Sequence, residues 1–460
     1  MGRPDMFFDL LSHSDKRSAE DQEQKLLLFV LFVFAAGCFF RWIYTAQVPY
    51  NISRHDLGEI SDWQTVTKGH LGYIQYLYQF HRFPDVAEEY SQFYHPPLFH
   101  LCGAAVMKFI LHFGGSVTEA FEWIQAMNMV FADIAVLFSI LTVFRTVRAS
   151  DSCLLLTVFF SFCPIWFILG TEINNDCLMT MFCTITVYLT VCWIQERSWR
   201  LIVLLALSFA LGMLSKTSAV LLAPAVGLVF LYALWKDRKK PGTILLQIAL
   251  FSIICVPLGL SWVLRSRILF GIPFNYVPAF DTDSGQYIGT VPLTARLGLP
   301  SVQQMTLCSI DWSHYTDYAN IWGQTFLTMS FDEGIVPVTT LSRQAAGMVL
   351  LWADAILYLL GIAELIRMVF RKSVRAEYKL LLFKGFFTLM AGYVSFAFRY
   401  PQVCTMNFRY IALTWLLLLT AHGMNQDCRT GKRRLVLRKL FSLLIGIVSI
   451  FSTGLYLLIH

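Results

Sequence analysis

An acidic residue that could act as a catalytic base follows shortly after the first apolar segment of the chain. The local sequence is His55-Asp56-Leu-Gly-Glu59, and Asp56 comes ten residues after Ala46, where that segment ends. A carboxylate held at such a boundary can accept a proton from a reacting hydroxyl group. An ordinary solvated loop carboxylate is the alternative interpretation, and the residues that follow weigh against it.

Two histidine motifs come next in the same loop. The first reads Gly-His70-Leu-Gly-Tyr-Ile, and the second reads Tyr94-His95-Pro-Pro-Leu. Prolines in the first turn start a helix without the loss of a hydrogen-bond donor, and here they fix the approach of His95. His-Pro-Pro alone is a weak signal, but its position after Asp56 makes it a stronger one.

The elements that must position these residues are membrane-spanning helices. Of the 460 residues 56% are hydrophobic and 14% charged, and the mean hydropathy is +0.57, values typical of a lipid-embedded protein. Apolar stretches of about 17 to 25 residues can cross the hydrocarbon core only as helices. We predict an all-α bundle of about eleven spans: 25–46, 121–144, 153–170, 177–194, 201–214, 218–235, 244–264, 348–366, 380–398, 410–424 and 440–459.

The distribution of basic residues predicts the topology. The net charge of +6 is concentrated in short loops, which indicates a positive-inside signal rather than a nucleic-acid partner. These loops are 145–148, 197–200, 236–240, 367–379 and 429–439. All five lie on one side only if the apolar segment 96–113 is a juxtamembrane helix and does not cross.

This topology divides the chain into four parts. A cytoplasmic segment 1–24 precedes a transmembrane module 25–264, which includes a first extracytoplasmic loop 47–120. A second extracytoplasmic loop 265–345 precedes the C-terminal helices 346–460. We therefore expect an integral multi-pass membrane protein with a cytoplasmic N-terminus and its chemistry on the extracytoplasmic side.

The second outer loop is rich in aromatic and acidic residues, which suits either a sugar-facing cap or an interfacial aromatic belt. They are Trp312, Tyr315, Tyr318, Trp322 and Phe326, with Asp311, Asp317, Asp332 and Glu333 among them. Most of the eleven cysteines lie inside apolar spans, where they are packing residues. A disulfide among Cys102, Cys308 and Cys404 is left open.

Taken in order, these motifs resemble the GT-C superfamily of membrane glycosyltransferases. The similarity is to the polyprenyl- or dolichyl-phosphate-sugar-dependent branch, which includes protein O-mannosyltransferases and lipid A aminoarabinose transferases. It rests on Asp56, Gly69 to Ile74, Tyr94-His95-Pro96-Pro97-Leu98, Glu172-Ile-Asn174-Asn175-Asp176 and Leu214-Ser-Lys216. In such families the segment after the Pro-Pro motif is a juxtamembrane helix, in agreement with the charge argument.

The resemblance implies transfer of a hexosyl or pentosyl group from a lipid-phosphate donor, in the bacterial plasma membrane or the endoplasmic reticulum. Cations must then meet the charge that develops on the phosphate, and Lys216, Arg409 with Tyr410, and Arg265 are the candidates. Snorkelling or interfacial anchoring is the alternative for each cation.

An acceptor hydroxyl needs a base, for which Asp56 ranks first. The resemblance supports inversion, so one base is enough. Several relatives have an adjacent Asp-Glu pair where this chain has His55-Asp56-Leu-Gly. The role of Glu59 is therefore secondary.

Accessory or binding roles are assigned to residues of the four motifs. They are His55, Glu59, His70, Tyr94, His95, Glu172, Asn175 and Asp176. Helix capping by Asn175 or Asp176 is an alternative for the acidic turn, and binding of an acceptor sugar or a divalent metal ion is the other. No cofactor is certain, because metal dependence varies among GT-C enzymes.

The expected partners are the lipid-linked sugar, a glycan, lipid or protein acceptor, and membrane lipids. Two other classes compete with an enzyme. A secondary transporter would carry ionisable residues at mid-membrane. A flippase or a non-catalytic scaffold would share the phosphate-binding cations but tolerate the loss of Asp56.

Overall fold

The computed structural model describes residues 13–51, 69–85, 92–274, 276–278, 282–306, 308, 316–332 and 340–458. Side chains are described from residue 24 onward, except those of 433 and 434. Several predicted site residues lie outside the described residues: His55, Asp56, Glu59, Asp311, Trp312, Tyr315 and Glu333.

The described part of the chain is built from helices and turns, with one β-bridge between Tyr287 and Gln402. The α-helices are α1 (His13–Gln47), α2 (Gly69–Phe80), α3 (Leu98–His112), α4 (Val117–Thr146), α5 (Ser150–Phe162), α6 (Pro164–Thr171), α7 (Asp176–Glu196), α8 (Trp199–Ser215), α9 (Ala223–Lys236), α10 (Gly242–Phe270), α11 (Leu293–Leu297), α12 (Ile321–Phe331), α13 (Leu341–Val369), α14 (Ala376–Lys379), α15 (Gly385–Arg399), α16 (Thr414–Asp427) and α17 (Gly431–Leu457). Short 3₁₀ helices cover Thr217–Leu222, Val403–Met406 and Phe408–Ile411, and a π-helical turn, Leu380–Lys384, joins α14 to α15.

The helices form the predicted all-α polytopic bundle. Within the described residues, nine helices are long and apolar enough to cross a membrane, and the bent pair Val403–Ile411 and Thr414–Asp427 makes a tenth segment. Helix α8 has only 17 residues. It nevertheless connects the two ends of the bundle, because Ser198 precedes it at the basic end and Lys216 follows it beside Asp176 at the other. The eleven predicted segments are thus all present.

Contacts between loops gather the five basic segments at one end of the bundle. Each segment is joined to another through ion pairs or hydrogen bonds. The ion pairs are Arg145–Glu196, Arg197–Asp237, Lys236–Glu377 and Arg438–Asp151. The carboxylate of Asp427 also accepts from the backbone N–H groups of Arg148 and Ala149, at 2.8 and 2.9 Å. The grouping that the charge pattern predicts is therefore a property of the fold.

Helix α3 does not cross the bundle. The side-chain amide of Gln125, near the start of α4, donates to the carbonyl oxygens of Val48 and Thr171 at 3.0 and 3.1 Å. These contacts place the ends of α1 and α6 and the start of α4 at one end of the molecule. The chain between α1 and α4 therefore returns to the end that it left, as predicted for segment 96–113.

Some charged groups lie within the membrane spans and not at the helix ends. Arg41 in α1 is fully buried, and its Nη2 atom lies 2.7 Å from Asp133 Oδ1 in α4. Asp354 in α13 is also fully buried and accepts from Ser330 Oγ at 2.7 Å. Pairing of this kind offsets the cost of placing charge in a low-dielectric interior.

The cysteines are unbridged. All eleven thiols are free, and seven of them lie in α-helices. The disulfide left open among Cys102, Cys308 and Cys404 does not form. Cys308 instead packs against Gly347, where its Sγ atom would lie only 2.8 Å from an added Cβ.

Candidate active site

The acidic turn between α6 and α7 is buried and anchored to α4. Proline at the first position of α6 starts a new helix after the break at Cys163, and α6 ends at Thr171 just before the turn. Asn128 Nδ2 donates to the carbonyl oxygens of Glu172 and Asn174. Glu172 and Asp176 are only 1% and 2% exposed, so their charges require partners.

Capping does not account for this turn. Asn175 occupies the N-cap position of α7, but it makes no side-chain capping bond, and its Nδ2 atom donates to Ser215 O at 3.0 Å. Asn174 serves the local backbone instead, because its Oδ1 atom accepts from Asp176 N at 2.9 Å. The carboxylate of Asp176 faces the cations described next.

Lys216 and Arg409 converge on Asp176 from distant parts of the chain. Lys216 ends α8 in an extended conformation, and its Nζ atom lies 2.6 Å from Asp176 Oδ1. Arg409 lies in the 3₁₀ helix Phe408–Ile411, with Nε 3.5 Å from Asp176 Oδ2 and Nη1 3.8 Å from Glu172 Oε2. Because Arg409 is only 2% exposed, little water screens these pairs.

Tyr410 completes what we call the charge cluster, which comprises Glu172, Asp176, Lys216, Arg409 and Tyr410. Its hydroxyl oxygen accepts from Arg409 Nη2 at 3.0 Å. The centre of its ring lies 4.8 Å from Lys216 Nζ and 5.0 Å from Arg409 Cζ, within range of cation–π attraction. The two cations therefore share one carboxylate and one aromatic ring.

Arg409 is held in place by Asn407 and Asp332, whose pairing the sequence does not predict. Asn407 Oδ1 accepts from Arg409 N at 2.9 Å, and Asn407 Nδ2 donates to Asp332 Oδ1 at the same distance. Asp332 ends α12 with a φ angle of 56°, a left-handed conformation that is unusual for a residue with a Cβ atom. The sequence shows no pattern that joins positions 75 residues apart.

Three histidines stack beside the charge cluster, and we call them the histidine stack. The rings of His70 and His95 lie 5.7 Å apart and those of His70 and His100 lie 5.2 Å apart, both nearly parallel. His70 Nδ1 and His100 Nε2 are joined by a hydrogen bond of 2.9 Å. Burial lowers the pKa of each well below the usual range for histidine, and the positive charges of Lys216 and Arg409 also lower the pKa values of His70 and His95.

Tyr94 supports this stack, and His100 is the member that sequence reasoning missed. The rings of Tyr94 and His95 lie 4.1 Å apart, and the carbonyl oxygen of Tyr94 accepts from Trp262 Nε1 at 3.2 Å. His100 lies on the buried face of α3, where Tyr73 stacks on its ring at 4.0 Å. His95 precedes α3, so no helical spacing in the sequence links it to His100.

Arg265 is not part of the charge cluster in this structure. Its guanidinium group stacks on Trp262 at 4.6 Å and lies near Phe83 and Phe270. Its Nη2 atom donates to Pro84 O at 3.3 Å. These contacts tie α10 to the loop after α2, which is the anchoring role given above as the alternative.

The described aromatic residues of the second outer loop pack into the protein. Tyr318 and Phe326 are 5% and 9% exposed, and Phe326 lies in α12, a helix that is buried except at Trp322. Trp322 Nε1 donates to Leu297 O at 3.0 Å. Tyr318 and Phe326 are therefore buried within the protein, while Trp322 stays partly exposed.

The acidic turn does not by itself supply a metal site. Among the described residues, no group of three or more His, Cys, Asp or Glu side chains is arranged to hold a metal ion. Glu172 and Asp176 face cations, and the histidine rings lie face to face, so that their nitrogen atoms do not converge as metal ligands do.

Comparison with known proteins gives the same fold. A family profile described as dolichyl-phosphate-mannose-protein mannosyltransferase matches residues 95–262, while no curated protein matches the chain in sequence. The oligosaccharyltransferase of Archaeoglobus fulgidus in its apo form is similar over 93% of this chain and 56% of that chain, with a TM-score of 0.51 and 12% identity. ArnT from Cupriavidus metallidurans in the apo state aligns over 95% of this chain and 78% of that chain, with a TM-score of 0.36 and 11% identity.

These observations define the class of the protein as a polytopic membrane protein with a buried charge cluster at one end of its helical bundle. Residues 95–262 match the mannosyltransferase profile, and the fold is similar to that of the archaeal oligosaccharyltransferase, in agreement with the resemblance to GT-C membrane glycosyltransferases found in the sequence. It spans little more than half the length of the archaeal oligosaccharyltransferase, which therefore contains regions without a counterpart here.

Proposed function

We propose that this protein transfers a sugar, with inversion, from a polyprenyl- or dolichyl-phosphate donor to an acceptor on the extracytoplasmic side of the membrane. The observation that carries the proposal is the charge cluster, in which Lys216 and Arg409 meet at Asp176 in a buried position at the end of the bundle opposite the basic loops. The family profile and the names of the similar proteins, mannosyltransferase and oligosaccharyltransferase, support the same reaction class.

The two cations suit a donor whose phosphate gains charge as it leaves. A lipid-phosphate sugar carries one negative charge, and the departing lipid phosphate carries up to about two. Lys216 and Arg409 would bind the phosphate more tightly as the bond to the sugar breaks, which is the condition for lowering the barrier. Before the donor binds, Glu172 and Asp176 hold the cations in position.

The acceptor requires a base on the face of the sugar opposite the phosphate, and Asp56 is the residue proposed for it. In the balanced step the acceptor oxygen forms a bond to the anomeric carbon, its proton passes to the Asp56 carboxylate, and the carbon–oxygen bond to the phosphate breaks. Inversion needs no covalent intermediate between sugar and protein. Glu59, Asn175, His70, Tyr94 and His95 are proposed to bind or position substrate groups.

Substitution of the cations tests the proposal. We expect Lys216→Gln and Arg409→Gln each to reduce donor affinity or transfer rate at least about tenfold, which corresponds to about 1.4 kcal/mol. The measurements are binding of a polyprenyl-phosphate sugar and its consumption by purified protein.

Lys108→Gln is the matched control, because Lys108 is an exposed lysine of α3 outside the charge cluster. Removal of one partner from a buried ion pair also destabilises a protein, so melting temperatures must be compared for all three variants. Unchanged donor binding and transfer in both cluster variants would refute the proposed phosphate site.

A further inference from the structure

The histidine stack is placed to respond to a phosphate group, an inference that rests on the proposed function. His70 comes from α2, His95 from the segment just before α3 and His100 from α3, and the three rings form one continuous series. His70 and His100 are 2% and 0% exposed, so neither is solvated as an ordinary surface histidine is. Lys216 and Arg409 lie close enough to His70 and His95 for their positive charges to lower the pKa values of both rings.

The charge balance of the cluster explains why a further cation is needed. Lys216 and Arg409 contribute two positive charges, and Glu172 and Asp176 contribute two negative charges, so these four described groups sum to zero. A phosphodiester that enters would add an uncompensated negative charge to a buried site, which is costly. An imidazolium ion beside the cluster would offset that charge.

We propose that the histidine stack takes up a proton from solvent when a lipid phosphate binds, and so supplies a third positive charge to the donor site. His70 or His95 carries the charge, because these two rings lie in the field of the cluster. His100 is a positioning residue, since its hydrogen bond to His70 Nδ1 couples the tautomers of the two rings and orients the His70 ring.

The direction of the pH dependence follows from the groups around the stack. In the free protein, burial and the charges of Lys216 and Arg409 hold the pKa values of His70 and His95 well below the usual range, so both rings are neutral near pH 7. Among the described residues, Tyr73 and Tyr94 also face the stack, and burial raises the pKa of Tyr73 well above its usual range. A bound phosphate opposes the two cations and raises the histidine pKa values.

The sign of the linkage is therefore fixed. A group whose pKa rises on binding strengthens binding at low pH, and the gain is lost as pH rises through the pKa of the bound state. Each unit of upward shift corresponds to about a tenfold gain in affinity at low pH. Donor affinity should fall as pH rises, and binding should be accompanied by net proton uptake.

Calorimetry with a ligand that does not titrate tests this proposal. The probe is a polyprenyl methyl phosphodiester, whose single negative charge is constant near neutral pH, so that any proton uptake belongs to the protein. The full-length protein in detergent is titrated in two buffers of different ionisation enthalpy, and the difference in observed heat gives the number of protons taken up. We expect net uptake in the wild type, smaller uptake in His70→Gln and His95→Gln, and a flatter pH dependence of affinity.

His100→Gln separates positioning from a purely structural role, and His112→Gln is the control. We expect His100→Gln to retain binding with reduced uptake. His112, an exposed histidine of the same helix, should leave the uptake at the wild-type value. Binding by wild type without proton uptake would overturn the histidine proposal and leave the proposed function intact, whereas absence of binding at every pH would overturn both.

Discussion

At the scale of single residues, the site is organised by the sharing of Asp176 between two cations. Its Oδ1 atom faces Lys216 and its Oδ2 atom faces Arg409, so one carboxylate fixes the separation of two positive groups. Neither cation can be moved without disturbing the position of the other. Arg265 shows the contrast, because its stacking on Trp262 ties two segments together and directs its charge elsewhere.

The sequence identified most of these residues but could not identify their pairing. Lys216 stands out because a lysine between two apolar spans is costly without an anion, and Glu172 and Asp176 stand out as carboxylates at helix ends. Asp176 and Lys216 are joined through the packing of α7 on α8, which no local pattern specifies. The contact of Asp332 with Asn407 and the place of His100 in the site were not predicted for the same reason.

At the scale of elements, the 3₁₀ helix Phe408–Ile411 positions Arg409. Asn407 Oδ1 accepts from Arg409 N as an N-cap, and Phe408 N donates to Thr328 Oγ1 of α12 at 2.9 Å. The link from Asn407 Nδ2 to Asp332 holds the same helix to the end of α12. A short helix that lacks much internal hydrogen bonding depends on such external contacts.

Substitution of Asn407 should therefore affect the site more than the fold. Asn407→Ala loses a cap, which costs about 0.5 to 2 kcal/mol, and releases Arg409, so we expect a lower melting temperature together with about tenfold weaker donor binding. Asn320→Ala is the matched control, since Asn320 caps α12 through Trp322 N and Gly323 N without contact to Arg409. Equal loss of donor binding in both variants would contradict a specific role for Asn407.

At the scale of the whole molecule, charge distribution predicted the topology better than hydropathy alone. Segment 96–113 is apolar enough to be counted as a span, yet α3 has 15 residues and covers only about 22 Å, less than a hydrocarbon core of roughly 30 Å. The basic loops resolved this ambiguity, and the contacts of Gln125 confirm the result. Charged groups within the spans, such as Arg41 with Asp133, were not foreseen because pairing inside a bundle depends on helix rotation.

The sidedness of the bundle gives a prediction for intact membranes. Single cysteines are introduced as Arg238→Cys and Gly285→Cys, at exposed positions that are predicted to lie on opposite sides of the membrane. A Cβ atom at Gly285 has open space around it. A membrane-impermeant thiol reagent should label Gly285→Cys from outside and leave Arg238→Cys protected until the membrane is opened. The parent protein with its native cysteines sets the background, and labelling of both positions from one side would refute the topology.

The most direct test of the account is sugar transfer by the purified protein. Wild type and Asp56→Asn are incubated with a panel of polyprenyl- and dolichyl-phosphate sugars and candidate acceptors, while donor binding and melting temperature are measured on the same preparations. We expect the wild type to consume one donor, release the lipid phosphate and invert the anomeric centre. Asp56→Asn should bind that donor normally but transfer it about 10² to 10⁴ times more slowly, as expected for loss of a general base. Donor binding without consumption by the wild type would contradict the proposed function. Transfer by Asp56→Asn within about threefold of the wild-type rate would contradict the role of Asp56 as the base.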